Sequence, residues 1–247
     1  SLVSWWRFDD LNSSGQPTDY LGLNNGTLVG GATVNYSSGR FGNGTYFDGV
    51  NDFVDTGRGE SLNITGTQIT VSLWAKQINP SASEDALIGK TTSDTWNDGW
   101  GMWYQNASEV RFFINAYLTN FAFAYVNSSL WNHFVGVYNG SDVLIYVNGV
   151  NGTRDTLTAS ITEGRANLEI GRLRNNVLAI NGSIDEVMIF NRSLSAQEVT
   201  ALYNATRIDK YENLTDSSHT YRAYGVDSVG NVNNSGLTSF TIDSIFP

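Results

Sequence analysis

From Ser1 to about Phe190 the apolar residues fall in short alternating runs, each broken by Gly or Asn. A period of two buries one face of an extended strand and wets the other, so closely spaced runs of this kind specify an all-β sandwich or barrel. The clearest is a hairpin. Phe134-Val135-Gly136-Val137-Tyr138 leads through Asn139-Gly140-Ser141-Asp142 into Val143-Leu144-Ile145-Tyr146-Val147. Further strands are expected over Val3–Phe8, Gly44–Phe47, Phe53–Asp55, Ile69–Gln77, Ala86–Lys90, Gly99–Gln105, Glu109–Asn115, Phe121–Val126, Asn167–Gly171 and Gly182–Phe190. Asn-Gly pairs beginning at Asn25, Asn43, Asn139, Asn148, Asn151 and Asn181 are expected to supply the positive φ angles of tight turns.

One helix is legible near the end of this region. Ser195-Ala196-Gln197-Glu198 has the form of a capping box, flanked by Leu194 and Val199 where a hydrophobic staple would close. Val199, Leu202 and Tyr203 then line one stripe of a helix of about ten residues, which would lie on the sandwich. The texture changes near Ile208. Residues 208–247 read as three strands, around Ile208–Leu214, Thr220–Asp227 and Thr238–Ile242, too few to close a core without cysteine or metal. The expected division is therefore a domain over 1–207 and a partial β segment over 208–247.

Charge removes whole classes of partner. With 14 Lys+Arg against 24 Asp+Glu the net charge is −10, the wrong sign for nucleic acid or an anionic membrane surface. No apolar run approaches the roughly 18 residues of a helical membrane span. Zero cysteines exclude disulfides, thiolate metal sites and a cysteine nucleophile. The first residue is Ser1, which suggests a processed or excised fragment.

Asparagine points to the compartment. Asn-x-Ser/Thr sequons begin at Asn12, Asn25, Asn35, Asn43, Asn63, Asn106, Asn127, Asn139, Asn151, Asn181, Asn191, Asn204, Asn213 and Asn233. The 27 Asn and 47 Ser plus Thr of this chain would make about 5 by chance. The excess of these 14 points to export, glycan attachment and an extracellular or cell-surface location. Export without cysteine suggests a prokaryotic, archaeal source.

Several stretches, in this order, together resemble the laminin-G-like, concanavalin-A-like jelly-roll family. They are Val3-Ser4-Trp5-Trp6-Arg7-Phe8-Asp9, Phe47-Asp48-Gly49-Val50-Asn51-Asp52-Phe53-Val54, Thr70-Val71-Ser72-Leu73-Trp74-Ala75 and Trp131-Asn132-His133-Phe134-Val135. Val143–Gly149, Leu168–Gly171 and Gly182–Asn191 complete the series, followed by the capped helix. The resemblance implies two curved antiparallel sheets. The tail, with Asn213-Leu214-Thr215-Asp216, His219-Thr220-Tyr221-Arg222-Ala223-Tyr224 and Asp227–Asn231, resembles the last strands of immunoglobulin-like surface-protein repeats. That likeness implies completion by another segment or subunit through strand addition.

Catalysis finds little support in the residues. Retaining glycoside hydrolysis needs two carboxyls about 5 Å apart, which strands deliver when acids sit two residues apart on one face. Asp185 and Glu186 are adjacent and are expected on opposite faces. His133 and His219 lie in separate strand-like runs with no evident partner, so no triad is expected. Asp48-Gly49-Val50-Asn51-Asp52 resembles a loop that relatives use near a calcium site, with Asp185 expected to approach it in the fold; Asp48, Asn51 and Asp52 would build a turn equally well. Trp96, Asn97 and Asp98 combine an aromatic face with short polar groups, as a sugar site would, although core is the favoured reading for Trp96. Trp100, Trp103 and Tyr104 are expected to alternate between core and surface.

The sequence as a whole reads as a non-catalytic surface module of structural or adhesive role, assembling with copies of itself or adjacent immunoglobulin-like domains, filaments included. The alternative is a carbohydrate-binding lectin, with or without Ca2+; no other cofactor is implied.

Overall fold

The structure, a computed structural model, describes residues 1–80, 84–92, 96–173, 178–206, 215–221, 224–226 and 232–242. Its strands up to the helix are β1 (Leu2–Trp6), β2 (Thr27–Val29), β3 (Thr33–Asn35), β4 (Gly44–Asp48), β5 (Phe53–Asp55), β6 (Ile69–Gln77), β7 (Asp85–Lys90) and β8 (Trp100–Asn106). They continue with β9 (Glu109–Ile114), β10 (Phe121–Tyr125), β11 (Asn132–Tyr138), β12 (Asp142–Val147), β13 (Val150–Thr156), β14 (Glu169–Ile170) and β15 (Asn181–Phe190). The helix α1 (Ala196–Ala205) precedes β16 (Ser217–Tyr221), β17 (Tyr224–Val226), β18 (Val232–Asn234) and β19 (Thr238–Ile242).

Two antiparallel sheets face one another. The eight-stranded sheet runs β13-β12-β11-β6-β15-β4-β3, with β1 also on β15. The seven-stranded sheet runs β10-β9-β8-β7-β14-β5-β2. Neighbours distant in sequence, such as β6 beside β15, give the jelly-roll crossings, and the all-β sandwich with one short helix is the fold.

The core lies between the sheets. Ile69, Val71, Leu73 and Ala75 of β6 alternate inward and are fully buried, as are Phe134 and Tyr138 of β11. Gly136 stands between those two because the Phe112 ring of the opposite sheet fills the space its side chain would take. The outer face of β6 and β11 is covered as well: Val135, Val137, Tyr146, Met188 and Phe190 pack beneath Val199 and Leu202 of α1. The capping box at Ser195 forms, with its hydroxyl accepting from the Glu198 amide and the Glu198 carboxylate accepting from the Ser195 amide. Burial of each of the two helix anchors contributes about 2 kcal/mol.

Several sequence expectations need correction. Trp100, Trp103 and Tyr104 are all buried, because Trp96, Phe113, Leu173 and part-buried Tyr117 cover the outer face of their sheet around Trp103. Of the Asn-Gly pairs, those at Asn139 and Asn148 make positive-φ turns, with Gly140 at +94° and Gly149 at +77°. The glycines at 26, 44, 152 and 182 have ordinary φ; a Cβ there would meet neighbouring chain, as at Gly182 against the Lys76 carbonyl. Four strands, β2, β3, β13 and β18, were not foreseen.

Beyond the helix, β16 pairs only with β19 and β17 only with β18 among the described residues. The expected strand Ile208–Leu214 and the sequon at Asn213 lie outside the described residues, as does the side chain of Asn233. No described helix is long and apolar enough to cross a membrane.

Candidate ligand-binding site

The site begins with an irregularity in β15. That strand pairs with β6 along its length, while its other side is shared: β4 pairs with Asn181–Ile184 and β1 with Val187–Phe190. Asp185 and Glu186 fall in the gap between those neighbours. Ile184 and Val187 both point into the core, leaving two residues between inward positions where regular alternation leaves one. The register with β6 shifts between Asp185 and Met188, and Glu186 takes a φ of +51°. This is a β-bulge, and bulges re-aim side chains.

Its effect is to bring both acids to the outer side of the sheet. Asp185 stands opposite Trp74, whose ring packs on the outer face against His133 and Tyr203. The expectation that adjacent acids take opposite faces holds for a regular strand, and the bulge overturns it here. Asp185 is fully buried, and its carboxylate accepts the backbone N–H groups of Arg40 (2.8 Å), Phe41 (2.9 Å) and Glu186 (2.7 Å). Burial pushes its pKa up to about 8, raised further by the charge on Glu186 and opposed by the three N–H donors.

Glu186 faces a cluster of aromatic and charged groups. Its Oε2 accepts the Trp5 indole N–H at 2.6 Å. Trp5 lies against Tyr20 with ring centroids 5.1 Å apart, and the Arg7 guanidinium sits 4.7 Å from the Tyr20 ring centre and 5.3 Å from that of Trp5. Arg7 is bound to the Asp10 carboxylate, while Asp9 accepts the Asn43 amide at 2.7 Å. Asp19, itself buried, fixes the loop carrying Tyr20: its carboxylate accepts the amides of Trp5, Leu23 and Asn24. Tyr20 is 56% exposed, so one aromatic surface reaches solvent. Burial pushes Glu186 up to about 7, the Trp5 N–H and Arg7 drawing it down and Asp9 and Asp10 raising it. An exposed aromatic face, a guanidinium, two accessible carboxylates and a carboxyl titrating near neutrality converge within one surface.

Trp5 and Arg7 lie within the family-like stretch Val3–Asp9, yet neither they nor Tyr20 was singled out as functional from sequence. The readable sign was the spacing of Ile184 and Val187, since positions i and i+3 of a strand share a face only across a bulge.

The residues singled out from sequence sit elsewhere. Asp48 and Asp52 belong to the β4–β5 turn, where Asp48 accepts the Val50 amide and buried Asp52 accepts the Asp48 amide. Asn51 is exposed. Asn181, not Asp185, stands opposite Asp48. Asp185 is four residues further along, about 13 Å at strand rise, so it does not join the loop. Asp52 Oδ1 is buried without a hydrogen-bond partner among the described residues, but no three acidic or histidine side chains there gather into a metal-binding group. The structure therefore does not bring Asp185 together with Asp48, Asn51 and Asp52. Trp96 is only 8% exposed, packed edge-on to Tyr117 at 4.5 Å, so it offers no open face. Asp98 accepts from Thr91 Oγ1 and the Thr92 amide, and Asn97 is exposed beside it. His133 has a partner after all: its Nε2 lies 2.8 Å from Ser72 Oγ, and burial pushes its pKa down to about 3. Enclosure of that pair removes it from any substrate. His219 sits in β16, where its Nε2 lies 2.8 Å from the Thr215 carbonyl.

Comparison with known proteins matches this architecture. No curated protein sequence matches the chain. Domain 4 of AbnA, an extracellular GH43 arabinanase of Geobacillus stearothermophilus solved with arabinotriose, superposes at a TM-score of 0.62 with 21% identity, covering 82% of this chain and 98% of that one. The ligand-binding domain of botulinum neurotoxin serotype D, solved with N-acetylneuraminic acid, gives 0.65 and 14% identity over 83% of this chain and 50% of that one. The binding domain of Paraclostridial mosquitocidal protein 1 gives 0.62 and 18% identity, covering 94% and 63%. At these identities the likeness is one of fold. Sequence supplies the family: residues 47–200 match its pattern, and the chain belongs to the concanavalin A-like lectin/glucanases superfamily.

Proposed function

We propose that the chain is a non-catalytic glycan-binding module of an exported, N-glycosylated surface protein, with the sugar seated on Tyr20 between Arg7 and Glu186. The observation that carries this reading is the convergence of an exposed aromatic ring, a guanidinium and carboxylates at the β15 bulge. Pyranose rings are apolar on their faces and hydroxylated at their rims, so they pair with such a surface. Two domains of the same fold, those solved with arabinotriose and N-acetylneuraminic acid, hold sugars, which favours this ligand class. Every sequon asparagine whose side chain is described is at least partly exposed, as attachment requires.

A glycan array probed with and without a chelator tests the idea. Binding is expected to persist in the chelator. Tyr20→Ala is expected to weaken it about fivefold, the equivalent of about 1 kcal/mol of lost stacking, with the melting temperature unchanged. Equal binding by wild type and Tyr20→Ala would move the site elsewhere.

A second reading, assembly through the tail, has its own support. Each described tail ladder has two strands; Tyr221 and Phe240 are exposed on one of them, and Leu237 is exposed just before β19. Two-stranded ladders are marginal in water, so strands donated by a neighbouring immunoglobulin-like segment or another copy would complete them. Light scattering of the native material distinguishes a filament from a monomer.

A further inference from the structure

The two sheets come together along one side, where β10 ends the seven-stranded sheet and β13 ends the eight-stranded one. The Thr153 hydroxyl bridges them, accepting the Phe123 amide at 2.8 Å and donating to the Phe123 carbonyl at 3.0 Å. Beside this bridge is a groove of about 280 Å³, lined by Phe123, Tyr125, Val147, Val150, Asn151 and Thr153 among others. Its apolar wall is unusually open to water: Tyr125 is 76% and Val150 70% exposed. Edge strands left in this condition invite pairing with other chains, and proteins ordinarily cover them.

Asn151-Gly152-Thr153 is itself a sequon. Asn12, Asn35, Asn106, Asn127 and Asn139 each use their amide oxygen to accept a nearby N–H in a local turn. Asn151 is exposed and makes no side-chain hydrogen bond among the described residues. We propose that Asn151 carries an N-linked glycan whose first sugars lie in this groove, against Tyr125 and Val150, and seal the junction of the two sheets. The groove volume is near the lower end of ordinary ligand pockets and admits a small saccharide. Attachment joins Asn151 Nδ2 to the anomeric carbon of an oligosaccharide held on a lipid diphosphate carrier. The carrier leaves with the electron pair of the broken C–O bond, and the amide gives up one proton. The proposal rests on the reading that the chain is exported and glycosylated.

The test uses the full chain made in a host that installs N-glycans, with peptide mass mapping and nitration of exposed tyrosines. Asn63→Gln serves as the control, since Asn63 is an exposed sequon away from the groove. Glycan is expected at both Asn63 and Asn151. Tyr125 is expected to resist nitration in wild type and Asn63→Gln, and to lose that protection in Asn151→Gln. Enzymatic removal of glycans from the folded wild-type protein is expected to expose Tyr125 likewise, which separates the effect from any misfolding of the variant. A bare Asn151 beside a glycosylated Asn63 overturns the proposal and leaves the export reading standing. Tyr125 reacting equally with and without the Asn151 glycan overturns it also. A chain bare at every sequon overturns both.

Discussion

Glu186 and Asp185 hold their protons in the fold to pH values where free carboxyls have lost them. Their folded pKa values, about 7 and about 8, lie above the ordinary 4.5 and 3.8. The native state therefore binds more protons than the unfolded state across those windows, and stability falls as pH rises through them. His133 acts with the opposite slope. Its folded pKa of about 3 lies below the ordinary 6.5, so its contribution is lost as pH falls from 6.5 toward 3. Above pH 6.5 His133 is neutral in both states and drops out. Melting temperatures measured between pH 6.5 and 8.5 should fall, then level off, and Glu186→Gln should flatten the early part of that slope. A variant with the wild-type slope would show that Glu186 is ionised throughout.

The elements rest on packing between sheets as much as on ladders. Gly136→Ala would drive a methyl group into the Phe112 ring across the core and should cost about 1–3 kcal/mol by chemical denaturation. Ser195→Ala removes one half of the capping box and should cost about 1 kcal/mol. Alternation made β5 and β6 readable to the residue, because their inward side chains are uniformly apolar. It failed for β13, Val150–Thr156, whose Asn-Gly-Thr-Arg-Asp composition belongs to a sheet edge and imitates a turn. The helix was legible because its start is written in local chemistry. The candidate site was not: it depends on Tyr20, Trp5 and Glu186 meeting across long stretches of chain, which no local pattern records. Asn-Gly pairs misled for a related reason. Glycine serves close approach as well as positive φ, and only the tertiary structure separates the two.

At the scale of the molecule, the sandwich carries its own core, helix cover and candidate site within residues 1–206. Truncation after Thr206 should leave the melting temperature nearly unchanged, whereas a large fall would make the tail part of the same cooperative unit. On the outer face of the eight-stranded sheet, Trp5 of the candidate site packs against the same apolar cluster that Val199 and Leu202 of α1 cover. The most direct test of glycan recognition there follows the seven tryptophan indole N–H signals by NMR while soluble oligosaccharides are added. The Trp5 indole proton, held by Glu186, should shift saturably while those of buried Trp6, Trp100 and Trp103 stay fixed. Saturable shifts confined to other tryptophans, with Trp5 unmoved, would contradict the account.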